Sequence, residues 1–189
     1  MSALNKSTFA KIFEAADLCR ACALDAPMLV LIYTALDTLA WALYGDKAKE
    51  VRQRFTALCD AHILPGSTIQ CTALELYAAR CSILHTLGWE SELSKLGRAR
   101  SIFYSFGTDD PTIAQAALEL TNPGEFISVR ADDLLIAAQN AVAQVAKLAP
   151  TDPELAQRLS AAAGKQYRSL ESSEGDKIFS AFIQKAQKP

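Results

Sequence analysis

The stretch that decides the fold is the apolar run at residues 25–45, DAPMLVLIYTALDTLAWALYG. Asp25 is placed to cap a helix, Pro27 stands in a first turn where a missing N–H does no harm, and Gly45 ends the run. The residues between these signals are apolar on nearly every side of a helix. Such a helix packs at the centre of a protein, so we expect it to be the central element of a helical bundle.

The same run is long enough to be mistaken for a membrane span. Asp37 lies in its middle, and a central aspartate costs about 2.5–3.5 kcal/mol on membrane-insertion scales. Tyr33, Thr34 and Thr38 add further polar groups. We therefore expect the core helix of a soluble protein, with no membrane attachment.

Composition and charge bound the class of protein. Half of the 189 residues are hydrophobic, which is enough to bury one core without a disulfide or metal staple. The 19 basic and 21 acidic residues give a formal net charge of −2, so no global field attracts nucleic acid or an anionic membrane, and such binding needs a local patch. Five cysteines, an odd number, and no secretory signal at the start predict a cytoplasmic protein with free thiols.

Amphipathic helices are predicted on both sides of the central run. Apolar residues at helical spacing indicate a first helix that ends near Leu24 and a third helix over about 46–62. The fourth helix has two candidate start signals, and either one can set its first turn. Ser67 with Gln70 is one capping box, in which two side chains satisfy the first backbone N–H groups.

Thr72 with Glu75 is the other capping box for the fourth helix, which is expected to stop at Gly88. Beyond it, alternating apolar and polar residues within 98–107 predict a half-buried strand. The residues at 109–124 are rich in turn signals and show no clear helix or strand pattern.

Helical periodicity returns in the last third of the chain. One helix follows residue 125, and a second is expected to begin from a capping box of Thr151 and Glu154. A final helix is predicted from Asp176, after a glycine.

These patterns predict a mainly all-α fold, a helical bundle with a minor β element near residues 98–107. No repeat and no long Gly/Ser/Pro linker divides the chain, so we expect one helical domain over residues 1–189. The turn-rich stretch allows one division, between a core of 1–107 and a C-terminal helical extension of 125–189.

Several kinds of active site have no support in the sequence. The phosphate-binding loop, the dinucleotide fingerprint, the zincin helix and the hydrolase elbow all lack their motifs. One set of zinc-type ligands is present, formed by Cys19, Cys22, Cys59 and His62. Both pairs fall inside amphipathic helices, where buried thiols are the commoner explanation. We expect no metal and no cofactor.

The segment LYAARCSILH at residues 76–85 carries the main functional signal. It places Arg80 five residues before His85 near the end of the fourth helix, and it resembles the R-x(4–6)-H motif of the HEPN superfamily. The resemblance covers chiefly the helices between about Leu29 and Gly88. It implies cleavage of RNA without a metal, in which the histidine moves a proton and the arginine neutralises the scissile phosphate.

The sequence departs from the motif in one place, because many nuclease members carry a polar residue such as Asn where this chain has Cys81. Five residues on a regular helix subtend about 500°, so Arg80 and His85 are predicted to point about 140° apart and to need a kink or a helix end to meet. The resemblance implies a homodimer that places two such pairs across a shared cleft.

Other residues are candidates for supporting roles. Asp37 is expected to be buried, so its carboxylate needs a cationic partner, and Arg80 is the candidate. Arg80 could instead pair with Glu75 or Asp60. Cys81 and His85 share one helix face at i and i+4, where a histidine could activate a thiolate, although a buried thiol under an imidazole is the plainer reading.

A short basic run follows the fourth helix and is the candidate for contacting phosphates: Lys95, Arg98 and Arg100. A solvated loop is the alternative explanation. The leading interpretation is a HEPN-like, dimeric endoribonuclease or RNA- or nucleotide-binding module. The alternative is a non-catalytic helical domain that binds a protein partner through its apolar surface.

Overall fold

The structure is a computed structural model, and residues 8–45 and 47–165 are the part of the chain that it describes. Helices dominate it, with one small sheet, so the predicted mainly all-α class with a minor β element is confirmed. The described elements are α1 (Thr8–Ala21), α2 (Asp25–Tyr44), α3 (Val51–Leu58), α4 (Ala73–Thr86), α5 (Glu92–Lys95), β1 (Ser101–Ser105), α6 (Pro111–Thr121), β2 (Phe126–Arg130), α7 (Ala131–Leu148) and α8 (Pro153–Lys165). The final helix predicted from Asp176 lies outside the described residues.

The central helix α2 packs against α1, α3, α4, α7 and α8, as its apolar composition predicts. Ile32, Tyr33 and Leu36 on this helix are almost fully buried. Within the described residues, one helix is long and apolar enough to span a membrane, and it is α2. A core helix passes the same test, and 56% of its most apolar window is buried inside the protein.

The start of α2 differs from the prediction. Asp25 is the first helical residue, and Leu24 occupies the N-cap position without a side-chain hydrogen bond. The charge of Asp25 still lies in the first turn, where the helix dipole favours an anion. Gly45 is the C-cap residue, as expected, and its N–H donates to the carbonyl of Trp41 at 2.8 Å.

The first helix was predicted to end too late, and the third helix was predicted to begin too early. Helix α1 ends at Ala21, short of Leu24, and α3 begins at Val51. After α3 the chain continues as a π-helical turn over Cys59–Ile63, in which each carbonyl bonds five residues ahead. Cys59 and Ile63 are buried there. The prediction also included Asp46, which is not among the described residues.

Helix α4 begins with the capping box of Thr72 and Glu75, so the second of the two start signals is the one used. The Thr72 hydroxyl accepts from the Glu75 N–H at 3.2 Å, and a Glu75 carboxylate oxygen accepts from the Thr72 N–H at 2.7 Å. At the other end, the predicted stop at Gly88 is one residue late. Leu87 takes the left-handed conformation (φ 52°), and the Gly88 N–H donates to Ser82 O at 3.3 Å.

The turn-rich stretch at 109–124 is mostly helix. Asp110 caps α6 by accepting from the Thr112 N–H at 2.8 Å, and the helix joins β1 to β2 as a parallel β-α-β unit. The strand at Ser101–Ser105 was predicted, whereas β2 was not. The stretch that follows residue 125 therefore starts with a strand before α7 begins.

A side chain from α6 occupies one edge of β2. The amide of Gln115 accepts from the Ser128 N–H at 2.6 Å and donates to the carbonyl of Phe126 at 3.3 Å. An amide that accepts and donates in this way reproduces the pairing that a neighbouring strand would provide. The two-stranded sheet is thus bonded on this side without a third strand.

Helix α8 has a different cap from the one predicted. Asp152 is the capping residue, because its carboxylate accepts from the Leu155 N–H at 2.9 Å. The Thr151 hydroxyl donates backwards to the carbonyl of Leu148 at 3.0 Å, and Glu154 pairs with Arg158. The capping box of Thr151 and Glu154 was therefore wrong by one position.

The capping box of α4 gives a direct test of the fold. Replacing Thr72→Ala removes the acceptor for the Glu75 N–H, so we expect the free energy of unfolding to fall by about 0.5–2 kcal/mol in urea denaturation. Thr72→Ser keeps the hydroxyl and should lose less than about 0.5 kcal/mol. Equal losses in the two variants would mean that the hydrogen bond does not stabilise the helix.

Candidate functional site

The site is built around an ion pair between α2 and α4. The Nε of Arg80 donates to Oδ2 of Asp37 at 2.9 Å, and its Nη2 bonds to the same oxygen. The two side chains are 14% and 23% exposed, so the pair is largely removed from water. Asp37 is one of the three partners predicted for Arg80 from the sequence, and the structure brings these two together.

The ion pair leaves one edge of the guanidinium facing His85. Nη1 of Arg80 lies 3.5 Å from Nε2 of His85 and 4.0 Å from the Sγ of Cys81. Helix α4 runs from Ala73 to Thr86 without a kink, and His85 lies in its last turn, at the helix end that the prediction gave as the alternative. The 140° separation applies to Cβ directions, whereas an arginine side chain is long enough to cross it.

Burial and pairing act in opposite directions on Arg80. Burial alone would lower the pKa of the guanidinium, but the hydrogen bond and the charge of Asp37 raise that pKa overall. The group therefore stays cationic, as an arginine does. Two of its donors are fixed by Asp37, and the N–H groups of Nη1 point to the side where His85 lies.

His85 is exposed in the last turn of α4 and lines a cleft of about 850 Å³. Tyr77 and Cys81 precede it at four-residue spacing and line the same wall. Residues of the α3 start and of the α5 region form the rest of the wall. The His85 cleft is lined by Lys49, Glu50, Val51, Arg52, Tyr77, Cys81, Ser82, His85, Thr86, Glu90, Ser91, Glu92, Leu93 and Lys95.

The charges in the His85 cleft are mixed. Arg52 lies 3.7 Å from Glu50, and Lys95 donates to Glu92 at 3.1 Å on the opposite side. Lys49 adds a cation and Glu90 a carboxylate. The cleft therefore offers several cationic contacts to an anionic chain without a strongly positive field.

The residues of the predicted basic run do not all line the His85 cleft. Lys95 lines the His85 cleft, but neither Arg98 nor Arg100 does. Arg98 is exposed, and the Nε of Arg100 donates to Oε1 of Glu75 at 2.5 Å. Arg100 thus neutralises a carboxylate near the start of α4, remote along the helix from His85.

Glu75 has a structural role in this arrangement. Burial alone would raise the pKa of this carboxyl, but hydrogen bonds from Arg100 and from Thr72 lower it below its usual range. The carboxylate is 7% exposed and serves both the helix cap and the ion pair. It fixes the start of α4, while Arg80 is paired with Asp37 instead.

The cysteines fall into different environments. Cys59 and Cys71 are buried, and burial raises the pKa of Cys71 to about 12, which suppresses the thiolate form that nucleophilic chemistry requires. Cys22 is exposed, and Cys81 is half-buried beside His85. His62, the other histidine, has its Nδ1 3.0 Å from Oε1 of Gln144.

The ligand set suggested by the sequence is not assembled in the described part of the chain. Across residues 8–45 and 47–165, no group of three or more His, Cys, Asp or Glu side chains lies close enough together to hold a metal ion. Cys59 is buried in the core, while Cys22 is at the surface.

The sequence did not single out every residue of the cleft. Tyr77 has a signal, since it repeats the four-residue spacing of Cys81 and His85 on one helix face. Arg52 and Glu90 come from other elements and have no local pattern that connects them to His85. Burial raises the pKa of Tyr77, and so does its hydrogen bond with Cys81, which keeps this phenol protonated.

The Asp37 pair can be measured by a double-mutant cycle. Arg80→Ala leaves a mostly buried carboxylate unpaired, so we expect it to lower the free energy of unfolding by about 3 kcal/mol. Asp37→Ala should cost a similar amount, and the double variant less than the sum of the two. The expected coupling energy is about 1–3 kcal/mol. Additive losses, with a coupling below about 0.3 kcal/mol, would show that the pair does not stabilise the fold.

Comparison with known proteins adds no name to this site. No protein-family model matches the chain, and neither does any curated protein or solved structure.

Proposed function

We propose that the protein is a HEPN-like, metal-independent endoribonuclease whose reacting groups are Arg80 and His85. One observation carries the proposal. Asp37 holds Arg80 so that Nη1 lies 3.5 Å from Nε2 of His85, and His85 is exposed in a cleft of about 850 Å³. A cation beside an exposed proton acceptor supplies the two groups that RNA cleavage needs.

The chemistry follows from the direction of the contact. Because Nη1 of Arg80 can only donate, Nε2 of His85 is the accepting, unprotonated nitrogen of the ring. When RNA binds, Nη1 turns its N–H groups to the phosphate and frees the lone pair of Nε2, which takes the proton of a ribose 2′-hydroxyl as the 2′-oxygen attacks the adjacent phosphorus. The P–O5′ bond breaks, the leaving oxygen takes a proton from the site or from water, and the products are a 2′,3′-cyclic phosphate and a 5′-hydroxyl end. Arg80 neutralises the phosphate during this exchange.

Binding of the RNA chain on either side of the scissile phosphate is assigned to the cations of the cleft. Lys49, Arg52 and Lys95 line it. Because Arg52 and Lys95 have carboxylate neighbours, the attraction is local and should weaken with salt. Arg98 and Arg100 are not needed for this contact.

The working form is proposed to be a homodimer around the C-terminal end of α4. Leu87, Trp89 and Leu96 lie close to His85 in the chain and are 68%, 62% and 67% exposed. Exposed apolar side chains favour burial against another surface. A second copy there would bring two Arg80 and His85 pairs near one another.

The free thiols fit a cytoplasmic location.

The role of His85 is tested by its replacement. His85→Ala should reduce the rate of RNA cleavage by at least about 100-fold, because it removes the proton acceptor. The fold should be retained, since an exposed histidine at a helix C-terminus contributes only about 0.3–1 kcal/mol. The measurement is cleavage of an end-labelled RNA in the presence of EDTA.

The matched control is His62→Ala, which removes the other histidine, on the π-helical turn, and should leave cleavage unchanged. Equal cleavage by the His85→Ala variant, or no cleavage by the unmodified protein, would contradict the nuclease proposal.

The dimer is tested by light scattering. A chain of 20.4 kDa should give twice that mass at micromolar concentration, and Leu87→Asp with Trp89→Asp should return it to the monomer. Leu120→Asp on α6 is the control, because Leu120 is 87% exposed on another element. A monomeric unmodified protein would exclude this dimer.

A second candidate function is a non-catalytic domain that binds a protein partner. The observation in its favour is that the Nε and Nη2 groups of Arg80 already bond to Asp37, as they would in an ion pair with a purely structural role. The exposed apolar side chains beside α4 would then contact that partner. Under this proposal the protein has no nuclease activity, and Leu87→Asp weakens partner binding.

A further inference from the structure

A second cavity lies at the edge of β2 and shares no lining residue with the His85 cleft. It has a volume of about 180 Å³ and is enclosed by the loop before α4, the start of α6, β2 and the start of α7. This volume is about six times that of a water molecule in the liquid and is below the usual range for drug-sized ligands. Only a small molecule fits.

Ser128 contributes a hydroxyl without a hydrogen-bond partner to this cavity. The residue is 8% exposed and lines the cavity, and its Oγ is buried without a hydrogen-bond partner. Leaving a buried hydroxyl unpaired costs about 1–3 kcal/mol. Its backbone N–H is already bonded to Gln115, so the hydroxyl is the group that is left over.

Arg130 adds a second donor two residues along the same strand. It also lines the cavity, and its Nε is buried without a hydrogen-bond partner. The nearest carboxylate oxygen, Oδ2 of Asp132, is 3.9 Å away, which is too long for a hydrogen bond. Residues two apart on a strand face the same side, so both donors lack an acceptor on one face of β2.

A carboxylate stands on the wall formed by α7. Oδ2 of Asp133 accepts from the hydroxyl of Thr68 at 2.7 Å, and no cation among the described residues pairs with Asp133. The N-terminus of α6 does not neutralise the carboxylate of Asp133, because the Thr112 N–H at that end already donates to Asp110. The cavity thus has hydrogen-bond donors on β2 and an anion on α7.

We propose that this cavity binds a small aliphatic α-amino acid in its zwitterionic form. The ligand carboxylate accepts from Ser128 Oγ and from the guanidinium of Arg130, and the ligand ammonium pairs with Asp133. Ile69, from the loop before α4, lines the cavity as well and contacts the side chain. A ligand with both charges satisfies the two donors and the carboxylate together, which a simple anion or amine does not. The site is independent of the reaction proposed at His85.

The test is isothermal titration of the full-length protein with glycine, L-alanine, L-serine and L-valine. At least one should bind saturably below about 10 mM. Propionate, which lacks the ammonium, and ethylamine, which lacks the carboxylate, should bind at least about tenfold more weakly. Failure of all four amino acids, or propionate binding as tightly as L-alanine, would overturn the proposal.

Variants of the cavity show whether binding occurs at this place. Ser128→Ala and Asp133→Asn should each weaken binding at least about tenfold, while His85→Ala should keep it unchanged. Ser128→Ala removes an unpaired buried hydroxyl, so the ligand-free variant should unfold at the same temperature as the unmodified protein or higher. Unchanged affinity in both cavity variants would place the ligand elsewhere and reject this site.

Discussion

The charge of Asp37 in an otherwise apolar central helix is the constraint on which the rest of the structure depends. Such a carboxylate cannot be buried alone, and Arg80 of α4 neutralises it. The pair fixes how α4 sits against α2, because only one position along α4 brings the guanidinium to that oxygen. It also sets the direction of the remaining guanidinium N–H groups, which lie on the side of His85. Core packing and the proposed chemistry therefore share one interaction.

Helix α4 is held at both ends by different means. At its start, Glu75 serves the helix cap and the ion pair with Arg100, which ties the helix to the chain just before β1. At its end, Leu87 reverses the chain in a left-handed conformation that leucine seldom adopts. Between these ends Arg80 is bonded to α2. His85 lies in the last turn, where it is exposed but still carried by a helix fixed at several points.

The parts that the sequence predicted are those with local signals. The length of α2, the capping box of Thr72 and the strand within 98–107 each depend on residues close together in the chain. Helix α6 and β2 were missed because none of the side chains of α6 is buried, so its pattern is weak, and because β2 pairs with a strand before α6. In the site, Asp37 was recognised because a buried carboxylate needs a cation. The pairing of Glu75 with Arg100 joins residues far apart in the chain and had no local sign.

The amide of Gln115 has a consequence for how the protein behaves among other copies of itself. An open sheet edge has unpaired backbone N–H and C=O groups. A strand from another molecule can hydrogen-bond to these groups, which leads to aggregation. Here a single side chain bonds to that edge of β2, and α4 packs beside β1. The two-stranded sheet is thereby kept from growing, and the proposed dimer does not use its edges.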